Sequence, residues 1–100
     1  MVRGGAVYIM TNALKSVLYT GVTSDLVSRV QQHKNKFYPF SFTAKYNVVY
    51  LVYYKSFSSI EEAIAEEKRI KAGNRAQKCR LINSINPEWK DLWETEVSKW

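Results

Sequence analysis

Seven consecutive residues, Val48-Val49-Tyr50-Leu51-Val52-Tyr53-Tyr54, are all apolar or aromatic. A strand with one face in water alternates apolar and polar residues, whereas an unbroken run is typical of a strand covered on both faces. The run therefore predicts a strand at the centre of a sheet, with helices on either side. The chain has 100 residues, of which 46% are hydrophobic, and this is enough for one core. We expect a single domain over residues 1–100.

The remaining pattern predicts a helix-covered sheet of three strands. Two shorter apolar runs, at residues 6–10 and 17–22, surround a polar stretch and predict a β-hairpin. Residues 36–47 have neither a helical nor a strand period and are interpreted as a loop. Helical patterns are centred on four segments, at about 25–34, 59–72, 76–84 and 88–96. The predicted fold is α+β with the order ββαβααα, and its sheet is antiparallel or mixed.

The charge distribution favours a polyanionic partner. Fifteen lysines and arginines against nine acids give a net charge of +6, and Asp25 is the one acid within residues 1–60. Such a charge attracts nucleic acid through counterion release, although many small basic proteins bind nothing in particular. Later in the chain, six basic residues follow one another without an acid between them and could track a phosphate backbone: Lys68, Arg69, Lys71, Arg75, Lys78 and Arg80.

Several classes of protein are disfavoured by composition. Cys79 is the single cysteine, so an internal disulfide and a cysteine-based zinc cluster are excluded, as is typical of a protein of the reducing cytoplasm. With one histidine as well, a zinc site is not expected. The sequence shows neither a leader pattern nor an apolar window approaching the roughly 18 residues of a membrane span. We expect a cytoplasmic protein that does not enter a membrane.

One acidic residue interrupts an apolar helix face. At about 100° per residue, Ile60, Ala63, Ile64 and Ile70 form one stripe, and Glu67 lies at its centre. Its neighbour Glu66 is predicted on the solvated flank. A carboxylate in an apolar stripe must be paired, protonated or bound to a cation.

Two explanations of Glu67 remain open on this pattern. Lys71 follows one turn later and could form an i,i+4 ion pair with it. Alternatively, the carboxylate belongs to a functional site.

Further polar candidates lie on the first helix and the hairpin. Arg29 and His33 are one turn apart, so they could hold a phosphate together, although a solvated helix flank would look the same. Tyr8 and Tyr19 lie on the two hairpin strands, where tyrosines are usually packing residues. Gly21 follows at a position where a side chain could be excluded.

Taken in order, these residues resemble the GIY-YIG nucleases, in particular the small stand-alone bacterial members, over nearly the whole chain. In that family the first strand ends its motif in tyrosine and the second carries Tyr-Ile-Gly. The matching sequences here are Ala6-Val7-Tyr8 and Tyr19-Thr20-Gly21, whose tyrosines are eleven residues apart. Ala6-Val7 replaces Gly-Ile and Thr20 replaces Ile, but both tyrosines and Gly21 are intact.

The resemblance continues into the helices. Arg29 and His33 match an arginine and a histidine that many members carry one turn apart on the next helix. Glu67 corresponds to the metal-binding glutamate of a later helix, and periodicity marks the same residue as unusual. The sequence from Leu81 to Leu92 is similar to the tail of the stand-alone subgroup.

The resemblance implies a divalent-metal-dependent endonuclease that hydrolyses phosphodiester bonds in DNA, with structured or branched DNA of repair or recombination as the expected substrate. It implies that Glu67 binds one Mg²⁺ or Mn²⁺ and that Tyr8 positions or deprotonates the attacking water. Arg29 would stabilise the charge that develops on the phosphate, while Tyr19 and His33 would hydrogen-bond around the nucleophile or the phosphate. Substrate-binding roles are expected for Gly21, Lys34, Lys71, Arg75 and Asn86.

Two other functions are compatible with the same residues. The first is a nucleic-acid-binding module that does not cut and that stacks bases on Tyr38, Phe40 and Phe42. The second is a protein-interaction domain with an apolar surface formed by its three tryptophans, Trp89, Trp93 and Trp100. Related nucleases often carry a separate targeting domain, so a partner protein or a distorted substrate is expected to supply specificity.

Overall fold

The structure is a computed structural model and describes residues 4–100. Arg3, which contributes to the positive charge of the first 60 residues, lies outside the described residues. The strands are β1 (Gly5–Thr11), β2 (Leu18–Thr23) and β3 (Tyr50–Phe57). The helices are α1 (Leu26–Lys34), α2 (Phe42–Lys45), α3 (Ile60–Ala72), α4 (Arg75–Ile85) and α5 (Leu92–Thr95), followed by a 3-10 turn at Val97–Lys99.

The three strands form one antiparallel sheet in the order β2-β1-β3. This confirms the α+β class and selects the antiparallel form of the predicted sheet. The position predicted for the apolar run is wrong, because β3 lies at an edge and β1 is central. All seven residues of β1 are buried, as expected of a strand that is paired on both sides.

Side chains from the C-terminal segment close the free edge of β3. The Asn86 Nδ2 atom donates to the Val52 carbonyl at 3.1 Å, and the Leu51 amide donates to an Asp91 carboxylate oxygen at 3.1 Å. Val52 is the extra residue of a bulge, since Ile9 pairs with Tyr53 and the next pair skips to Leu51. Helices cover both faces of β3, and side chains form hydrogen bonds with backbone groups on its outer edge. An unbroken apolar run therefore does not require a central position in the sheet.

The two faces of the sheet carry two cores. On the face that we call the α1 face, Tyr8 and Met10 pack with Leu26 and Val30 of α1. On the opposite face, the α3 face, the alternate residues of the same strands pack against α3 and α4; its buried members include Val7, Ile9, Val52, Ala63, Ile70 and Ile82. Alternate residues along β1 therefore contact different helices: one set packs against α1 and the other against α3 and α4.

Two segments differ from the predicted pattern. The predicted loop at residues 36–47 contains the short helix α2, whose N-cap is Ser41. The last helical segment is shorter than predicted, because the Asn86 side chain bonds both the amide and the carbonyl of Lys90, at 3.0 and 2.8 Å. These bonds hold residues 86–90 in a turn, so α5 begins only after its N-cap, Asp91. No helix within residues 4–100 is both long and apolar enough to cross a membrane.

Candidate active site

Tyr8 reaches over β2 because its partner there is a glycine. Tyr8 lies opposite Gly21 in the register of β1 and β2. A Cβ atom at Gly21 would lie 2.5 Å from both the Cζ and the Oη atoms of Tyr8, a distance that no side chain can adopt without moving the ring. The missing side chain therefore leaves the space in which the phenol extends towards the outer strand of the sheet. This is the exclusion that the sequence suggests at Gly21.

The Tyr8 hydroxyl begins a buried chain of hydrogen bonds. Its oxygen lies 2.9 Å from the Nε2 atom of His33, and the Nδ1 atom of His33 lies 2.9 Å from the Thr43 hydroxyl. Thr43 in turn lies 3.2 Å from the Ser41 hydroxyl. Tyr8, His33 and Thr43 are all buried, and His33 and Thr43 also line the cleft described next. The chain of hydrogen bonds links the hairpin to α1 and α2.

Tyr19 and Arg29 complete the cluster around this chain. The Tyr19 ring centroid lies 6.3 Å from that of Tyr8 and 5.5 Å from that of His33. Arg29 lies one helical turn before His33 and donates to Gln32 at 3.2 Å. A cleft of about 140 Å³, which we call the tyrosine cleft, opens over this group; its lining includes Tyr19, Arg29, His33, Lys36, Tyr38 and Phe42.

Burial fixes the protonation states of the two central groups. It raises the pKa of the Tyr8 phenol to about 12, and the positive charge of Arg29 only partly offsets this rise. Burial, and to a smaller extent the charge of Arg29, lowers the pKa of His33 to about 4. At neutral pH, Tyr8 is protonated and His33 is a neutral imidazole. With its proton on Nδ1, His33 donates to Thr43 and can accept the Tyr8 proton at Nε2.

The low pKa of His33 predicts an acid-sensitive fold. The pKa is about 6.5 in the unfolded chain and about 4 in the folded one, so stability is complete above pH 6.5 and is lost as the pH falls towards 4. We expect the free energy of unfolding to fall by about 2 kcal/mol between pH 7.5 and 5. Urea unfolding at several pH values measures this change.

The control for this measurement is His33→Gln, which removes the one histidine of the chain. Its free energy of unfolding should change much less over the same interval, because the carboxylates titrate mainly below it. Equal slopes in the two proteins would contradict the assignment of the acid sensitivity to His33.

Glu67 is paired with Lys71, as one of the two interpretations of the sequence predicted. The Lys71 Nζ atom lies 2.8 Å from a Glu67 carboxylate oxygen, with side chains 52% and 13% exposed. The predicted contrast with Glu66 is wrong: that side chain is 17% exposed and binds Arg69 through both oxygens, at 2.7 and 2.6 Å. Ile64, which the periodicity placed in the buried stripe, is 37% exposed. Both carboxylates therefore lie at the margin of the helix–sheet interface, where a cation can reach them.

Lys71 places the Glu67 ion pair beside Tyr19. Both Lys71 and Tyr19 line a second cleft of about 290 Å³ at the edge of the sheet, which we call the edge cleft; Leu18, Thr20, Phe42 and Lys78 complete its lining. Tyr19 and Phe42 line both clefts, so the two are adjacent. The phenols and the acid approach this edge from opposite faces of the sheet.

The donor set fits one hard divalent cation with few protein ligands. Within residues 4–100, no three side chains of His, Cys, Asp or Glu are close enough to hold a metal together. Mg²⁺ keeps several waters and needs only one or two carboxylates beside substrate phosphate, a requirement that Glu67 meets. The buried Thr20 hydroxyl has no hydrogen-bond partner among the described residues, and Thr20 and Lys71 line the same cleft.

Three residues expected to bind substrate have other partners in the structure. Lys34 donates to the Val49 carbonyl at 2.9 Å and pairs with Asp91, and Asn86 binds the backbone of β3 and Lys90. Both residues support the edge of the sheet opposite to β2. Arg75 donates to the carbonyls of Lys15 and Ser16, at 2.6 and 3.3 Å, and thereby ties α4 to the hairpin turn. Of the five residues, Gly21 lies beneath Tyr8 and Lys71 lines the edge cleft.

Thr43, Ser41 and Thr20 were not identified from the sequence. Ser41 and Thr43 lie in a segment without regular period, and only the short helix α2 turns Thr43 towards His33. Thr20 replaces the isoleucine of the family motif, and this substitution was the one available signal for an unusual polar group.

Comparisons with known proteins agree with the geometry. Residues 4–81 match the family model described as the GIY-YIG catalytic domain. A "UPF0213 protein" of Syntrophus aciditrophicus is 35% identical over 82 residues, which cover 82% of this chain and 92% of that protein. A "UPF0213 protein" of Staphylococcus aureus is 37% identical over 65 residues, which cover 65% of this chain and 78% of that protein. No solved structure gives a significant match. The chain therefore belongs to the GIY-YIG family, a family of nucleases.

Proposed function

We propose that this chain is a divalent-metal-dependent endonuclease that hydrolyses phosphodiester bonds in structured or branched DNA during repair or recombination. The observation that carries the proposal is the hydrogen bond between the Tyr8 hydroxyl and neutral His33, beside the charge of Arg29. A phenol with a pKa of about 12 is a poor base alone, but a neighbouring imidazole can take its proton as it accepts another.

The proposed step moves one proton in each of two hydrogen bonds. The attacking water gives a proton to the Tyr8 oxygen while Tyr8 gives its own to the His33 Nε2 atom. The resulting hydroxide forms a bond to phosphorus, and the bond from phosphorus to the leaving oxygen breaks. That oxygen takes a proton from solvent. His33 then returns its proton to Tyr8 as Tyr8 releases the proton of the attacking water to solvent, which completes the cycle.

Charges around the tyrosine cleft would stabilise the phosphate during this step. Arg29 would neutralise the negative charge that develops on the phosphate oxygens, and the Tyr19 hydroxyl would donate a hydrogen bond to one of them. Glu67 would hold Mg²⁺ or Mn²⁺, displacing the Lys71 ammonium from its carboxylate. When bound, the cation supplies positive charge for the leaving oxygen. Lys71 is half-exposed, so it can turn towards a substrate phosphate instead.

Metal-dependent cleavage tests the proposal directly. The purified chain should nick fluorescently labelled branched DNA in Mg²⁺ or Mn²⁺, and excess EDTA should stop the reaction. A linear duplex of the same sequence should be cut more slowly, because its backbone is less able to distort into the cleft. Absence of cleavage in every divalent metal tested would contradict the nuclease proposal.

A second candidate function is binding without cleavage. Tyr38, Phe40 and Phe42 are 52%, 98% and 49% exposed beside the tyrosine cleft, and exposed aromatic rings stack on bases. Tight DNA binding with no cleavage would favour this alternative. The protein-interaction alternative has less support, since Trp89 and Trp93 pack against the two cores and Trp100 is 46% exposed.

A further inference from the structure

A large cavity lies on the α3 face, away from the two phenols. It has a volume of about 490 Å³ between α3 and α4, and its lining includes Arg69, Lys78, Arg80 and Ser84 above apolar residues such as Ile70 and Leu81. We call it the helix cleft. Among residues 4–100, no carboxylate lines it. A concave surface with cations and hydroxyls but no acid is suited to a phosphate backbone.

The helix cleft is linked to the candidate active site by lining residues that neighbouring clefts share. Lys78 lines both the helix cleft and the edge cleft, while Tyr19 and Phe42 line both the edge cleft and the tyrosine cleft. Three adjacent clefts therefore form one path around the outer strand, β2. Its basic residues follow in spatial order from Lys36 and Arg29, through Lys71 and Lys78, to Arg69 and Arg80.

The basic residues of the helix cleft differ in how many hydrogen bonds and ion pairs they already form within the protein. Arg69 is engaged by both oxygens of Glu66. Lys78 donates one hydrogen bond to the Gly73 carbonyl at 2.8 Å, and its ammonium carries three protons, so two remain. Arg80 has no side-chain hydrogen bond or ion pair with residues 4–100 and is exposed. Lys78 and Arg80 are therefore the two cations best able to bind phosphate.

We propose that the helix cleft binds the DNA backbone beyond the cleaved phosphate, with Lys78 and Arg80 as its phosphate contacts. This inference rests on the proposed function, since it assumes that DNA enters the tyrosine cleft. The longest dimension of the domain is 31 Å, and successive phosphates on one strand of a duplex are about 3.4 Å apart along the helix axis. A straight duplex strand that crosses the domain along this dimension therefore spans about nine phosphate spacings.

Salt dependence of binding tests this surface separately from chemistry. The experiment uses the Glu67→Gln chain, which is expected not to cut, and measures the affinity for fluorescein-labelled branched DNA by anisotropy between about 50 and 200 mM NaCl. Each phosphate contact contributes about 0.9 to the slope of log K against log salt. The double variant Lys78→Gln/Arg80→Gln should have a slope whose magnitude is smaller by about two. Its loss of affinity across this salt range should therefore be about tenfold smaller.

A matched control is Lys90→Gln with Lys99→Gln. It removes the same charge, and neither residue lines any of the three clefts. The slope measured for this control should differ from that of the Glu67→Gln chain by less than half of the contribution of one phosphate contact. Equal slopes in the cleft variant and the control would overturn the inference.

The outcomes separate the two proposals. Normal cleavage by the native chain with no change of slope would refute the helix cleft alone. A lowered slope in a protein that never cuts DNA would support the helix cleft and refute the nuclease proposal. Lys78 makes one side-chain hydrogen bond at a half-buried position and Arg80 is exposed, so loss of fold is not expected. Circular dichroism checks that both variants are folded.

Discussion

Glu67→Gln should reduce DNA cleavage by about 10³-fold while leaving the domain folded. The substitution keeps the shape of the side chain and removes the negative charge that would hold the divalent cation. A metal contributes several kcal/mol to stabilising charge in the transition state, and about 4 kcal/mol corresponds to about 10³-fold in rate. The pair with Lys71 is partly solvated, so its loss should cost less than about 1 kcal/mol of stability. Single-turnover cleavage in Mg²⁺ is the measurement.

Glu66→Gln is the matched control for this experiment. Glu66 precedes Glu67 on the same helix, is similarly exposed and is also paired with a basic residue. Its loss should leave the cleavage rate within a few-fold of the native rate. Equal losses in the two variants would indicate a general electrostatic or structural effect and would contradict a specific role of Glu67.

Tyr8→Phe should reduce cleavage by about 10²–10⁴-fold, the range typical of losing a general base. Phenylalanine fits the space above Gly21, because the substitution removes only the hydroxyl. The variant breaks the proton path to His33, and the bond it loses should cost about 1 kcal/mol of stability. The measurement is the cleavage rate at saturating DNA, combined with the binding affinity, which should change little.

Tyr54→Phe supplies the comparison for Tyr8. Tyr54 pairs with Tyr8 across β1 and β3, and burial also raises the pKa of Tyr54 to about 12. Its side chain lies on the same face of the sheet as Tyr8, but on the edge strand β3, where its hydroxyl binds Glu96, and neither residue lines the tyrosine cleft. Cleavage should therefore survive in this variant. If Tyr8→Phe were as active as Tyr54→Phe, the attacking water would have to lose its proton by another route.

The local elements could be predicted because their signals are local. Gly73-Asn74 ends α3 where the sequence indicates, with Gly73 at the C-cap and Asn74 as the N-cap of α4. The hairpin and its strands follow from apolar runs separated by polar residues. The position of β3 in the sheet could not be predicted, since it depends on two side chains about 35 to 40 residues further along the chain.

The candidate site was predictable in part. The sequence and its family resemblance identified Tyr8, Tyr19, Arg29 and His33. The structure brings Tyr19, Arg29 and His33 to one cleft, and the buried Tyr8 hydroxyl bonds His33. Lys34 was expected to bind substrate, but it lies about 100° around the helix from His33 and pairs with Asp91 instead. Such partners depend on tertiary packing, which periodicity along a single helix does not describe.

The hydrogen bonds that Asn86 and Asp91 make to β3 lie beyond residue 81, where the match to the family ends. A fragment trimmed to the matched region would retain every proposed catalytic group but expose bare amides and carbonyls along one margin of its sheet. Such a margin is a template on which another chain can add a strand. The limits of the matched catalytic sequence and of the cooperative folding unit therefore differ, and a trimmed enzyme should aggregate for reasons unrelated to its chemistry.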